Sequence, residues 1–431
     1  MYKSEEPPFM LLLISILFIL GYIAIVMEHP LRINKAASAL ITGVLCWTVY
    51  ALFSESGDSV TEELTGHLGG VAGILFFLLG AMVVVELIDA HDGFEIITER
   101  IRTTNKRKLI WLTGFITFLL SAVLDNLTTT IVMVSLLRKI VPDHRTRLLY
   151  AGLVVIAANA GGAWSPIGDV TTTMLWIGGQ ITATSIITKT FLPSLVSFVI
   201  PALILSVQLK GNFEVAETKK QSLSTPRWQR NTVFAIGVCL LLFVPLFKSI
   251  THLPPFMGIL FGLGIMWLVT ELIHSGKDDA EKGVLSVNHA LRKIDTPSIL
   301  FFLGILISIS ALQATGILIQ VSGWMDQHIG DINLITIVIG FLSAIVDNVP
   351  LVAASQGMYP LEHFPADHYF WTFLAYCAGT GGSILIIGSA AGVAAMGMER
   401  INFLWYLKRI SWLALVGYLA GAGVFILQEY L

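Results

Sequence analysis

The sequence predicts an all-α polytopic membrane protein built from two inverted-topology repeats, each holding a re-entrant helical hairpin and a broken transmembrane helix. Three observations predict it. The 431 residues are 55% hydrophobic and 13% charged, with mean hydropathy +0.78, whereas soluble domains carry about 25% charged residues. Two near copies, Ser121-Ala-Val-Leu-Asp125-Asn126 and Ser343-Ala-Ile-Val-Asp347-Asn348, stand 222 residues apart, each setting an aspartate in apolar sequence. The lysines and arginines then divide between the two membrane faces in a way that only a hairpin-containing topology satisfies.

Taken in order, about ten segments are apolar enough to cross a core that takes roughly 20 helical residues. They are approximately 9–26, 36–53, 68–89, 148–179, 190–209, 232–250, 254–273, 298–319, 368–398 and 410–428. The first follows Lys3, Glu5 and Glu6 rather than a basic stretch and lacks a small-residue cleavage pattern, so it reads as a retained membrane helix. Two further stretches, 109–137 and 333–358, are interrupted by the Asp-Asn pairs. Arg100, Arg102, Lys106, Arg107 and Lys108 precede the first, and Arg138, Lys139, Arg145 and Arg147 follow it. Both its ends are therefore cytoplasmic under the positive-inside rule, which makes it a hairpin. The second, flanked by Asp326, Asp331, Glu362 and Asp367, enters from the opposite side.

This topology places Arg32, Lys35, Lys210, Lys219, Lys220, Arg227, Arg230, Lys277, Lys282, Arg292, Lys293, Arg400, Lys408 and Arg409 in the cytoplasm as well. Only Lys3, Lys189 and Lys248 of the 26 basic residues fall outside. Both termini lie outside, on the periplasmic face. The repeats run over 1–209 and 232–431, joined by a cytoplasmic linker at 210–231. Gly161-Gly162 and Gly168 reappear as Gly381-Gly382 and Gly388 at an offset of 220. Inverted repeats with broken helices around a midplane site are the mark of secondary transporters.

The residues at the interruptions specify the chemistry. A carboxylate in hydrocarbon costs roughly 2.5–3.5 kcal/mol even on the lenient insertion scale, so a chain that places one at both matching positions is handling an ion. Asp125, Asn126, Thr128, Thr129 and Thr130 gather hard oxygen donors at one tip; Asp347 and Asn348, with the helix breaker Pro350, form the other. Carboxylate, amide and hydroxyl oxygens suit a small hard cation. The facing interruptions carry Asn159, Ser165, Pro166, Asp169, Thr171 and Thr172 in one half, and Ser383 and Ser389 in the other. The glycines and Pro166 unwind these helices and expose carbonyls. Asp169 aligns with Ser389, so the first half holds an extra carboxylate. Two neighbouring carboxylates hold one cation or are neutralised by protons, as a proton-coupled antiporter requires. Asp125 and Asp169 are the shared pair, with Asp347 as second-site ligand or partner. Glu86 and Asp89, where the third segment reaches the cytoplasmic face, are candidates for a proton path.

Net charge of −3 suggests no nucleic-acid partner, and Cys46, Cys239 and Cys377 read as small buried hydrophobes without paired spacing. A sodium-coupled anion symporter on the same fold needs a basic or donor-rich pocket, and the sequence sets no Lys or Arg deep in the segments. An intramembrane aspartyl protease needs Gly-x-Gly-Asp, and Pro166-Ile-Gly168-Asp169 lacks the first glycine.

The chain resembles the NhaD-type sodium/proton antiporters, within the superfamily that also holds divalent-anion/sodium symporters and arsenite permeases. The resemblance spans essentially the whole chain. It rests on Gly80-Ala-Met-Val-Val-Val-Glu86-Leu-Ile-Asp89-Ala-His91, Leu124-Asp125-Asn126-Leu-Thr128-Thr129-Thr130, Ala158-Asn159 through Trp164-Ser165-Pro166-Ile-Gly168-Asp169-Val-Thr171-Thr172, and Val346-Asp347-Asn348-Val-Pro350. It implies exchange of Na+, often also Li+, for H+ in a bacterial inner membrane, without a cofactor or enzymatic activity. It further implies a homodimer in the bilayer, with a scaffold part and a mobile transport part. By the same resemblance Asp125, Asn126, Asn159, Asp169, Thr171, Thr172, Asn348 and Ser383 bind the cation, with Na+ on Asp125, Asn126 and Asp169. Symporter relatives carry Ser-Asn-Thr at the hairpin tips; Asp stands for that Ser at both tips here.

Overall fold

The computed structural model describes residues 7–54, 57–99, 101, 103–209, 211–213, 225–277 and 282–430. Of the basic residues used to assign topology, Lys3, Arg100, Arg102, Lys210, Lys219 and Lys220 lie outside these, as does most of the 210–231 linker. Among the described residues the chain is helical throughout, without a β-sheet; Asn105 and Asn212 form one isolated bridge.

The helices run α1 (Pro8–Val26), α2 (Glu28–Leu31), α3 (Lys35–Phe53), α4 (Gly57–Ala90), α5 (Glu95–Thr98), α6 (Lys106–Leu124), α7 (Asn126–Ile140), α8 (His144–Gly162), α9 (Val170–Ile177), α10 (Ala183–Gln208), α11 (Arg227–Thr251) and α12 (Pro255–Ile273). After a short 3-10 turn at Gly283–Leu285 come α13 (Val287–Lys293), α14 (Thr296–Ala314), α15 (Ile317–His328), α16 (Ile332–Leu342), α17 (Asn348–Met358), α18 (Tyr369–Gly381), α19 (Ala390–Glu399), α20 (Phe403–Arg409) and α21 (Ser411–Glu429). Among the described residues nine are long and apolar enough to cross a membrane: α1, α3, α4 (from Ser59), α6, α10, α11, α12, α14 and α21. The expected spans at 148–179 and 368–398 are each two helices, α8 with α9 and α18 with α19, broken over 163–169 and 382–389.

Local chemistry sets the starts. Side chains of Asn34, Asn105, Asp143, Thr182, Asp295 and Asp331 accept from backbone N–H groups of the first turns of α3, α6, α8, α10, α14 and α16. These caps satisfy donors that helix geometry leaves open. Pro193 and Pro201 interrupt the ladder inside α10 without ending it.

Two apolar bodies form. In the first, α3 packs along α14, α1 on α3, and α4 against both α12 and α14. The α3–α14 seam is tight because Gly43 and Gly304 face it, and Trp47 Nε1 donates across it to the Ile307 carbonyl at 2.9 Å. In the second, α10 packs along α21, α6 on α8, α16 on α18, and α7 on α19. A buried carboxylate fastens this body. Glu399, at the end of α19, accepts from Arg138 Nε of α7 at 2.7 Å and from Arg147 Nε of α8 at 2.8 Å. Cys46 and Cys377 are buried as expected, whereas Cys239 is exposed on the outer face of α11.

Candidate functional site

The site lies where the two helix breaks meet the two Asp-Asn junctions. Asp125 separates α6 from α7 with φ 87° and ψ 162°. That region is almost reserved for glycine, and a side chain there costs about 1–3 kcal/mol. The conformation is offset by capping: the Asp125 carboxylate accepts from Thr128 N at 2.8 Å and Thr128 Oγ1 at 2.9 Å. The next residue faces inward. Asn126 Nδ2 donates to Asp169 Oδ2 at 2.5 Å and to Asn159 Oδ1 at 3.1 Å.

Asp169 is the centre of the cluster and is buried, with 2% of its surface exposed. It caps α9 by accepting from Thr171 N at 2.9 Å and Thr171 Oγ1 at 2.8 Å. From the second junction, Asn348 Nδ2 reaches both its oxygens at 3.3 and 3.4 Å. Thr172 Oγ1 donates to the Asp169 carbonyl at 2.9 Å, and Asn159 Nδ2 donates to Ser389 Oγ, the cap of α19, at 2.9 Å. Both junctions and both breaks thus join in one hydrogen-bonded network. Bonds to an ionised carboxylate contribute about 1.5–3 kcal/mol each. Among the described residues no Lys or Arg pairs with Asp125 or Asp169.

The contacts that hold the breaks occur twice. Ser121 Oγ donates to the Ala158 carbonyl at 2.6 Å, and Ser343 Oγ to the Ala378 carbonyl at 2.9 Å. Gly161 lies against the Phe118 carbonyl, and Gly381 against that of Gly340. Here the structure departs from expectation: Gly161, Gly162 and Gly381 are still helical, and the glycines serve close helix approach rather than unwinding.

Other expected residues are placed as follows. The hydroxyls of Thr129 and Thr130 are fully buried and have no hydrogen-bond partner among the described residues. Ser383 is turned to its own segment, its Oγ donating to the Thr380 carbonyl at 2.6 Å and its carbonyl accepting from Tyr406 Oη at 2.9 Å. Asp347 makes no cap bond to α17; its carboxylate pairs with Lys35 Nζ at 3.3 Å. The sequence places Lys35 in the cytoplasm and sets no Lys or Arg deep in the segments. Lys35 is the first residue of α3, and its side chain reaches the second junction across the Phe301 ring, 4.3 Å from the centroid.

A cavity of about 330 Å³ opens on this cluster. Asp125, Asn126, Thr128, Asp169, Asp347, Asn348 and Lys35 line it, and so do Glu86, Asp89, Glu95, Lys139 and Lys293. Glu86 Oε1 pairs with Lys293 Nζ at 2.6 Å, Asp89 lies 3.9 Å from the same ammonium, and Glu95 pairs with Lys139 at 2.5 Å. Lys248, expected on the outer face, donates to the Trp176 carbonyl at the end of α9 at 2.5 Å and lies over that indole.

The family model described as "Citrate transporter" matches residues 22–379. Sodium/proton antiporter 1 of Arabidopsis thaliana is 49% identical over 96% of this chain and 71% of its own length. The NhaD Na(+)/H(+) antiporters of Vibrio parahaemolyticus and Alkalimonas amylolytica are 31% and 30% identical, over 86% and 95% of this chain and 94% and 88% of theirs. Among solved structures, the YdaH transporter of Alcanivorax borkumensis has the same fold, with a TM-score of 0.57 at 13% identity, covering 97% of this chain and 98% of that one.

Proposed function

The chain belongs to the citrate-transporter family and, within it, to the NhaD-type sodium/proton antiporters, and from that premise we propose that Na+ and H+ exchange by competing for Asp125 and Asp169. It is a multi-pass, cation-coupled secondary transporter and not an enzyme. The observation that carries the proposal is the state of Asp169: a buried carboxylate held by an amide from each junction and by the Thr171 N–H and hydroxyl, with no basic side chain paired to it among the described residues. A charge left uncompensated at low dielectric is expensive, so the site takes a proton or a small cation. Both together bind poorly, because the ligand oxygens must be deprotonated to hold the cation.

In this reading Asp125, Asn126, Asp169, Thr171 and Asn348 are the principal ligands, with Thr128, Thr129, Asn159, Thr172 and Ser389 supplying further oxygens or orienting amides. Ser383 joins only if its segment rotates from its present bonds. The Asp125 and Asp347 junctions are tips of hairpins entering from opposite sides, one in each of two inverted repeats. The doubled serine and glycine contacts support that reading. The cavity mouth beside Lys139 and Lys293 is then cytoplasmic, with both termini on the outer face, and Glu86 and Asp89 deliver protons there. Li+, close to Na+ in hardness, is a further substrate, the functional unit is a homodimer, and the membrane is a bacterial inner membrane.

The second reading, sodium-coupled anion uptake, gains from Lys35, Lys139 and Lys293 on the cavity wall. Each of them, however, is paired with a carboxylate, Asp347, Glu95 and Glu86 respectively. Purified protein in liposomes with a lumenal pH dye and an inside-acid gradient separates the readings. Na+ added outside should dequench the dye, and Asp125→Asn or Asp169→Asn should abolish the response. Sodium-dependent uptake of a carboxylate without proton movement would overturn the proposal.

A further inference from the structure

The two junctions share a sequence but differ in what satisfies their aspartates. At the first, the cap acceptor Asp125 finds the Thr128 N–H and hydroxyl three residues on. The residue three after Asp347 is Pro350, which has no N–H to give, and Asp347 makes no cap bond. One substitution therefore releases the second carboxylate from its own helix. The released oxygen meets Lys35 Nζ at 3.3 Å. That ammonium comes from α3, 312 residues away in sequence. Phe301 of α14 supports it from below as a cation–π partner at 4.3 Å. Both groups are largely shielded, the side chains being 29% and 19% exposed. Helix α12, which follows α11 in the second repeat as α3 follows α1 in the first, begins with Pro255 and offers Asp125 no equivalent lysine.

We propose that Lys35 is a resident cation for the second junction: its ammonium fills at Asp347 the place that a transported cation fills at Asp169. The inference rests on the reading that Asp125 and Asp169 hold the exchanged ion. It assigns Asp347 a charge-balancing role, which limits this conformation to one exchangeable sodium. Because the pair joins α3 to the α17 junction, it must also open whenever the junction moves away from α3.

The test is the number of sodium ions bound by purified full-length protein, from equilibrium dialysis with radioactive sodium at saturating concentration. The expected result is one sodium in the native protein and in Lys35→Arg, and two in Lys35→Gln, where Asp347 is left to the solvent ion. Asp347→Asn, with Lys35 unpaired near Asp169, should bind its single sodium at least several-fold more weakly. Lys35→Gln with Asp347→Asn should restore one sodium at native affinity. One sodium in Lys35→Gln, or none in the double variant, overturns the proposal. Should Lys35→Gln not fold, the Asp347→Asn and double variants decide alone. Loss of the competition reading would appear separately, as sodium binding that survives Asp169→Asn.

Discussion

Gly161→Ala probes how the site is held. The added Cβ would lie 2.2 Å from the Phe118 carbonyl oxygen and 2.9 Å from that residue's Cα and carbonyl carbon, all backbone atoms that no rotamer can clear. Restoring ordinary contact at about 3.5 Å requires α6 and α8 to part by about 1 Å. Overpacking of this kind costs about 1–3 kcal/mol. The same movement stretches the 2.6 Å bond from Ser121 to the Ala158 carbonyl past its useful range, which forfeits a further 0.5–1.5 kcal/mol or about that. It also carries Asn126 away from Asp169. Losing a bond worth about 1.5–3 kcal/mol corresponds to about a 10- to 100-fold weaker site. Half-saturating sodium for dye dequenching should rise by that factor, and the melting temperature in detergent should fall. Gly381→Ala should show the same loss of stability, since its Cβ would lie 2.0 Å from the Gly340 carbonyl oxygen. Native sodium dependence together with native melting in Gly161→Ala would refute the close-approach argument.

Thr129→Val removes a buried hydroxyl with no partner among the described residues; melting should hold or improve while sodium affinity falls about tenfold, and unchanged affinity would remove Thr129 from the site. Glu399→Ala leaves Arg147 without its buried partner and should destabilise the protein by about 3–5 kcal/mol, which chemical or thermal unfolding in detergent would reveal. His91 and His274 lie just beyond the ends of α4 and α12, with their Nε2 atoms 3.0 Å apart. His91 Nδ1 also bonds the Leu87 carbonyl at 2.8 Å. Burial holds both imidazoles below the ordinary histidine range. The folded state therefore binds fewer protons than the unfolded one, and stability should fall as pH drops below about 6.5. His274→Gln should flatten that fall in a melting series, and an unchanged pH slope would contradict it.

The sequence made the spans, the two breaks and the Asp-Asn junctions legible because each is a local pattern: a long apolar run, or its interruption by residues that hydrocarbon excludes. It also pointed to Asp169 as the additional carboxylate, from its mismatch with Ser389. What remained hidden were pairings set by tertiary packing. Lys35 reads as one more basic loop residue until α3 and α17 are brought together, although Pro350 in the place of Thr128 already implied an uncapped Asp347. Gly161 and Gly381 look like helix breakers, because composition does not tell a glycine that bends a chain from one that lets another backbone approach. The Arg138–Glu399–Arg147 cluster joins three helices whose adjacency no periodicity encodes. Ser383 matched the motif, yet its hydroxyl turns to the Thr380 carbonyl, a choice of rotamer that spacing cannot specify.

The central claim is that sodium and protons contend for the same carboxylates, and proton release on sodium binding tests it most directly. Purified protein in weakly buffered detergent solution at mildly acidic pH, followed with a pH indicator, should acidify the medium when NaCl is added and not when choline chloride is added. Asp125→Asn and Asp169→Asn should each diminish or abolish the release. Sodium binding without any proton release, at a pH where transport is active, would contradict the account.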